Sequence, residues 1–176
     1  MARIVGYIAS SLDGFIADKD EGLKWLTERK DMELGEFDYN LFIKRIRTVV
    51  MGRGTYDWMA RQNMEWPYKE QRAIVVTSHP IEPGFGTVET RINVDALVAE
   101  LRALDDGDVW MLGGGKLQMA FIERGALDEI EVYVMSALLG GGYPLFPPTG
   151  FFKANIELLA VNKLGTGCAR LLYRFN

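Results

Sequence analysis

Three short segments share a design suited to holding phosphate: Val50-Met51-Gly52-Arg53-Gly54-Thr55, Val75-Val76-Thr77-Ser78-His79 and Met111-Leu112-Gly113-Gly114-Gly115-Lys116. In each, an apolar run that reads as a buried strand ends on small or hydroxylated residues. Ligands of open α/β sheets gather at the carboxyl ends of strands. Two of the turns lead into predicted helices, whose first N–H groups and dipole attract anions. Glycine lets backbone approach a ligand closely. Arg53 and Lys116 add positive charge, and Thr55, Thr77 and Ser78 add hydroxyl donors.

The glycine run Gly113-Gly114-Gly115 carries little weight alone, because glycine turns follow strands in many α/β folds. It fits neither G-x-G-x-x-G nor G-x-x-x-x-G-K-[ST]. Three matched strand ends in one chain point to a phosphate-bearing ligand.

The elements needed to position these turns are readable from periodicity and breakers. Strands are expected at residues 3–10, 48–51, 73–77, 85–90, 108–112 and 128–137. Helices are expected over 38–47, from Tyr56, from an N-cap at Asn93 to about Leu104, and over 116–123. Residues 18–31 read as irregular. Two late strands, 155–163 and 168–175, flank Gly165-Thr166-Gly167 and read as a hairpin. Repeated β-then-α units predict an α/β fold, a three-layer α/β/α domain over residues 1–176. Its central sheet is mostly parallel, with an antiparallel C-terminal hairpin.

Composition narrows the function. The chain has 176 residues, 48% hydrophobic and 25% charged, enough for a core without disulfides. A formal charge of −4 argues against nucleic acid and anionic membrane surfaces. Cys168 and His79 are single residues of their kind, so no zinc cluster can be drawn and no metal is expected. No run spans the roughly 20 apolar residues of a membrane helix. The N-terminus lacks a basic start and a long apolar run, and the cytoplasm is the expected location. His79, before Pro80, reads as a turn residue, and no nucleophile motif accompanies it. Asp13 in Leu12-Asp13-Gly14 reads as a turn former. Trp110 and Cys168, inside predicted strands, read as packing residues.

The order of motifs resembles the dihydrofolate reductase superfamily. The matching stretches are Tyr7-Ile8-Ala9-Ser10-Ser11-Leu12-Asp13-Gly14-Phe15-Ile16-Ala17, Val50 to Tyr56, Val76-Thr77-Ser78, Leu112 to Gly115, and Pro144-Leu145-Phe146-Pro147. The Ser-Leu-Asp-Gly segment and Gly-Gly-Gly-Lys-Leu look closest to the reductase domain of riboflavin-biosynthesis deaminase–reductases and their single-domain relatives. The resemblance implies NADPH as cofactor. Gly52, Arg53, Gly54, Thr55, Thr77 and Ser78 would hold its adenosine phosphates, with Arg53 and His79 near the 2′-phosphate. Gly113, Gly114, Gly115, Lys116 and Leu117 would line the pyrophosphate and nicotinamide, with a cis Gly113–Gly114 bond. Ala9 and Ile16 match positions flanking the nicotinamide.

On the substrate side, the resemblance places Asp38 as the acid on the first helix, with Glu36 if the alignment slips, and Phe42 and Trp25 beside a small heterocycle. Arg72 is one position away from the arginine that grips a folate tail, and Val132-Tyr133-Val134-Met135 has no match for the threonine that supports the acid. The implied activity is NADPH-dependent reduction of a pteridine- or pyrimidine-like ring, leaning to 5-amino-6-(5-phosphoribosylamino)uracil. Dihydrofolate reduction and a non-catalytic nucleotide-binding module are the alternatives. Relatives pair through sheets or C-terminal strands, which makes a homodimer the expected assembly.

Overall fold

The computed structural model describes residues 1–150 and 153–176. The strands are β1 (Ile4–Ser11), β2 (Phe15–Ala17), β3 (Ile46–Gly52), β4 (Arg72–Val76), β5 (Glu89–Arg91), β6 (Asp108–Gly113), β7 (Glu129–Met135), β8 (Tyr143–Pro144), β9 (Ile156–Leu164) and β10 (Cys168–Phe175). The α-helices are α1 (Lys24–Thr27), α2 (Tyr39–Phe42), α3 (Arg53–Arg61), α4 (Val94–Arg102) and α5 (Gly115–Glu123).

Eight of these strands form one sheet in the order β5-β4-β3-β6-β1-β7-β10-β9. Pairing is parallel from β5 to β7 and antiparallel from β7 through β10 to β9. Val49, Val50 and Met51 are all fully buried, because strands in the middle of a parallel sheet are covered on both faces. On one face α4 and α5 contribute Leu97, Leu101, Leu117, Phe121 and Ile122 to a core with Ile4, Val50 and Ile74. On the other, Phe42 of α2 and Tyr56 and Met59 of α3 pack on Val5, Met51, Val75 and Trp110. The expected three layers, the mostly parallel sheet and the terminal hairpin are all present.

Asn93 caps α4 as predicted, its side chain accepting from Ala96 N–H. Three expectations need correction. The helix over 38–47 is one α-turn, Tyr39–Phe42, and then a 3₁₀ turn, Ile43–Arg45. Its apolar spacing was helical, but Ile46 enters β3 fully buried, and Ile46-Arg47-Thr48-Val49-Val50 is rich in β-branched residues that favour strand. The helix after Gly52 starts at Arg53 rather than Tyr56, directly on the strand end. Residues 18–31 include a helical turn, α1.

A two-stranded sheet absent from the sequence reading pairs β2 with β8, clipping the loop after β1 to the loop after β7. Asp13 adds to the clip by accepting from Leu139 N–H and Gly140 N–H. Among the described residues no helix is long and apolar enough to cross a membrane.

Candidate functional site

The two glycine turns lie side by side because β3 and β6 are adjacent, with Met51 opposite Gly113. A Cβ on Gly52 would stand 3.9 Å from both Gly113 O and Gly114 N. One on Gly114 would stand 3.6 Å from Thr55 Oγ1. The Gly113–Gly114 bond is cis, as expected. Neither α3, entered through Gly52, nor α5, entered through Gly114, has a side-chain cap. Their first amides are left to whatever lies beyond the strand ends.

Gly115 has a different reason to be glycine. A Cβ there would lie 2.6 Å from Pro144 O and 2.8 Å from Pro147 Cδ. The loop after β8 crosses directly over the start of α5, and buried Gln118 donates to Leu145 O at 3.3 Å to hold it. Leu117 is buried in the core and Lys116 points to solvent.

The β4 turn joins the same rim. Arg53 donates to Pro80 O at 2.8 Å and to Asp57 at 2.7 Å, which ties the start of α3 to the segment after β4. Thr77 is buried, its hydroxyl bonded to the His79 backbone, while Ser78 and His79 are exposed and in mutual contact. Arg53, Ser78 and His79 are thus brought together, and Gly54 is exposed beside them. Ala9 and Ile16 are half-buried and belong to different clusters. Ala9 packs with Tyr133, Met135 and Trp25, whereas Ile16 packs on the α4–α5 side.

Under α2 is a cavity of about 230 Å³. Asp38, Glu36 and Phe42 line it, as the resemblance implied, but most of its polar wall was invisible in the sequence: Tyr7, Arg45, Glu131, Tyr133 and Arg170. Trp25 instead packs beside Ala9 and donates to Gly22 O.

Glu131 organises the wall. Arg170 Nε meets its Oε2 at 2.8 Å and Arg45 Nη2 meets its Oε1 at 3.2 Å. Side-chain exposures of 8% for Arg170 and 12% for Glu131 make this a buried pair. Arg170 also donates to Asn162 and lies over the Phe37 ring at 4.4 Å. Tyr133 OH sits 3.1 Å from Glu131 Oε2 and 3.2 Å from Phe37 O. Tyr7 stacks on Phe42 at 4.2 Å and lies 4.7 Å from the Tyr133 ring. Burial pushes the Tyr133 phenol strongly up, helped by Tyr7 and Glu131, and pushes Tyr7 up to about 12 despite a hydrogen bond from Tyr133. Asp38 caps α2, its Oδ1 accepting from Asn40 N and Nδ2 at 2.8 Å each. The signal that would have revealed this wall is a charge at an inward position of an apolar strand, as at Glu131 and Arg170.

A larger open groove of about 620 Å³ runs between Leu12, β7 and the hairpin turn. It lies beyond β1 from the glycine turns, and Ser136, Lys163 and Thr166 are its main polar side chains. Volume aside, the smaller cavity has the chemistry. Arg72 is committed to Glu89 and Glu100 at the β5 edge. Burial of Cys168 pushes its thiol up to about 11, away from nucleophilic use.

Comparison with known proteins gives a consistent relationship. Residues 3–169 match the model of the RibD C-terminal domain. The uncharacterized protein YwjB of Bacillus subtilis (strain 168) is 34% identical over 146 residues, covering 82% of each chain. A Shewanella sp. PV-4 protein assigned provisionally to riboflavin biosynthesis superposes with a TM-score of 0.84 at 25% identity, over 100% of this chain and 99% of that one. A dihydrofolate reductase from Enterococcus faecalis, solved with NADP(H), shares the fold, with a TM-score of 0.65 at 18% identity over 99% and 96% of the two chains.

Proposed function

The chain belongs to the RibD C-terminal domain family and has a dihydrofolate-reductase-like fold, and from that membership we propose that it is an NADPH-dependent reductase of a small heterocycle. The observation that carries the proposal is the pair of uncapped helix starts, α3 and α5, side by side at the ends of adjacent parallel strands. Glycines keep that rim free of side chains at Gly52 and Gly114, and added Cβ atoms there would fill the cradle. Such a surface suits the linked phosphates of a dinucleotide.

NADPH, when bound, supplies the hydride. The Gly113–Gly115 run and the start of α3 hold its phosphates, and Arg53 with Ser78 and His79 faces the 2′-phosphate. Lys116 adds charge at the rim. Ala9, small and half-buried on β1, leaves room for the nicotinamide edge. The cavity under α2 takes the substrate ring and orients it, and its wall supplies the proton.

A volume of about 230 Å³ lies below the roughly 300–1,000 Å³ of drug-sized pockets. That suits the ring of a heterocycle, and the commitment of Arg72 elsewhere supports an aminouracil such as 5-amino-6-(5-phosphoribosylamino)uracil over dihydrofolate. The reading includes one domain over residues 1–176 and a cytoplasmic location. It also includes a homodimer built on the uncovered hairpin face, where Ile156, Leu158 and Val161 are exposed.

Titration with NADPH, followed by nicotinamide fluorescence, tests the cofactor. Binding at micromolar protein is expected, followed by oxidation when the aminouracil ribosyl phosphate is added. Absence of binding would overturn the reading. Binding without oxidation of NADPH by either that compound or dihydrofolate would make the protein a nucleotide-binding module.

A further inference from the structure

The cavity wall can be searched for the group that gives the proton, an inference that rests on the reductase reading. Arg45 and Arg170 are held by Glu131, whose Oε1 and Oε2 both serve as acceptors for the two guanidiniums. Tyr133 is 3% exposed, and its one proton is shared among Glu131 Oε2, Phe37 O and the Tyr7 oxygen. Asp38 spends Oδ1 on the start of α2, where it accepts from Asn40 N and Nδ2. Glu36 is exposed on the rim.

Tyr7 differs from all of these. Its hydroxyl reaches Phe37 O only at 3.5 Å, a marginal hydrogen bond, so its proton has no good acceptor among the described residues. It sits on β1 two residues before Ala9, on the same face of the strand, and Tyr133 is the cross-strand partner of Ala9. The two phenols therefore flank the small residue matched to the nicotinamide site. The Phe42 ring, stacked at 4.2 Å, fixes the plane of Tyr7.

We propose that Tyr7 is the proton donor of this site. Hydride from a reduced nicotinamide forms the new C–H bond at the electrophilic carbon of a C=N or C=O group. The π pair moves to the nitrogen or oxygen, which takes the proton as the Tyr7 O–H bond breaks. The phenolate left behind accepts the Tyr133 hydrogen bond and is reprotonated by water entering from the cavity mouth. The nicotinamide leaves oxidised, and charge and electrons balance. The groups that face Tyr7 are Glu36 and Asp38 before α2, Tyr39 and Arg45 from α2 and the turn after it, Glu131 and Tyr133 from β7, and Arg170 from β10. A phenol is protonated through neutral pH, and burial raises its pKa further, with the Glu131 and Asp38 carboxylates adding to it.

Wild type, Tyr7→Phe and Asp38→Asn are compared in three measurements: NADPH affinity, affinity of the NADP⁺ complex for 5,6-diaminouracil, and kcat/KM from pH 5 to 9 with the aminouracil ribosyl phosphate and with dihydrofolate. Tyr7→Phe is expected to bind NADPH normally and to bind the diaminouracil about tenfold more weakly, for one lost hydrogen bond. Its turnover should drop by about 100-fold or more, the usual contribution of a positioned acid. The wild-type profile should be flat, because a phenol near 12 does not titrate in that window.

Turnover of Tyr7→Phe equal to wild type would overturn the proposal. So would a wild-type rate that falls tenfold per pH unit and loses that fall in Asp38→Asn, since a carboxylate would then be the donor. Wild-type protein that binds NADPH and oxidises none would overturn the reductase reading and Tyr7 with it. Wild-type turnover with an indifferent Tyr7→Phe removes Tyr7 alone.

Discussion

At the ends of β3 and β6 the chain presents backbone: two helix starts without side-chain caps and glycines packed against one another. The cavity under α2 presents side chains, drawn from β1, the 36–45 segment, β7 and β10. The first surface suits a ligand part that is the same in every relative, because amides and a dipole bind phosphate whatever is attached to it. The second suits the part that differs, because Tyr7, Glu131 and Arg170 can be exchanged without touching the cofactor rim. Damage to one region should therefore leave the other working, and this independence can be tested.

The largest effect is expected from Arg170→Met. Removing the guanidinium leaves Glu131 buried, with the half-exposed Arg45 on one oxygen and the Tyr133 hydroxyl on the other. Breaking a buried pair costs about 3–5 kcal/mol. Because Arg45 remains, the loss should fall near about 3 kcal/mol. Urea unfolding should show a lower midpoint with an unchanged slope. Glu131→Gln combined with Arg170→Met should recover part of the loss, which a double-mutant cycle would measure. NADPH affinity should stay near that of wild type. A wild-type midpoint would mean that the pair does not hold the cavity wall, and a collapse of NADPH binding in folded protein would mean that the two regions are one.

This difference also decides what could be read from sequence. Gly52 to Thr55 and Gly113 to Lys116 are contiguous, and their job follows from what a strand end with glycine must expose. Parallel β-α order is likewise local, which is why the layers and the hairpin were legible. Glu131 and Arg170 are 39 residues apart, and nothing local says that antiparallel β10 will lay Arg170 beside β7. Tyr7 looked like one more apolar strand residue. Asp38, Glu36 and Phe42 were named from the resemblance, but the sheet residues that share their cavity were not, because α2 is a single turn whose partners come from the sheet. The helix over 38–47 failed for a related reason: burial of Ile46 in β3 outweighed a helical spacing.

On the backbone side, Gly115→Val and Gly114→Ala should separate two uses of glycine. A Cβ at Gly115 would strike Pro144 O, Pro147 Cδ and Leu145 O, at 2.6, 2.8 and 3.0 Å. Overpacking of this kind costs about 1–3 kcal/mol, and the loop after β8 should lift from α5. Gly114 has φ of −77° and only Thr55 Oγ1 at 3.6 Å from an added Cβ, so alanine should fit without much loss of stability. It would still stand where a phosphate approaches. Melting temperature should fall for Gly115→Val and hold for Gly114→Ala, while NADPH affinity falls in both. Normal NADPH binding by Gly114→Ala would remove the glycine cradle from the cofactor site.

The smallest effect concerns the clip beside the start of α5. Asp13 accepts from Leu139 and Gly140 N–H and so joins the loop after β1 to the loop after β7. A hydrogen bond from Ser11, then those from the two amides, holds its carboxyl down at about 2 from an ordinary 3.8. A carboxyl lowered on folding adds stability that is complete above its unfolded value and is lost as pH falls through its folded value. Wild type should therefore lose stability between about pH 4 and pH 2 that Asp13→Asn does not lose. The difference in urea midpoint should be slight, because Asp13 is exposed and water screens it. Parallel midpoint curves would show that the carboxylate is not what joins the loops, leaving the β2–β8 pairing to do so. The same loops carry Ile16 toward one core and Pro144 over α5. A loosened clip should therefore weaken NADPH binding slightly while diaminouracil binding, in a cavity that these loops do not line, stays near that of wild type.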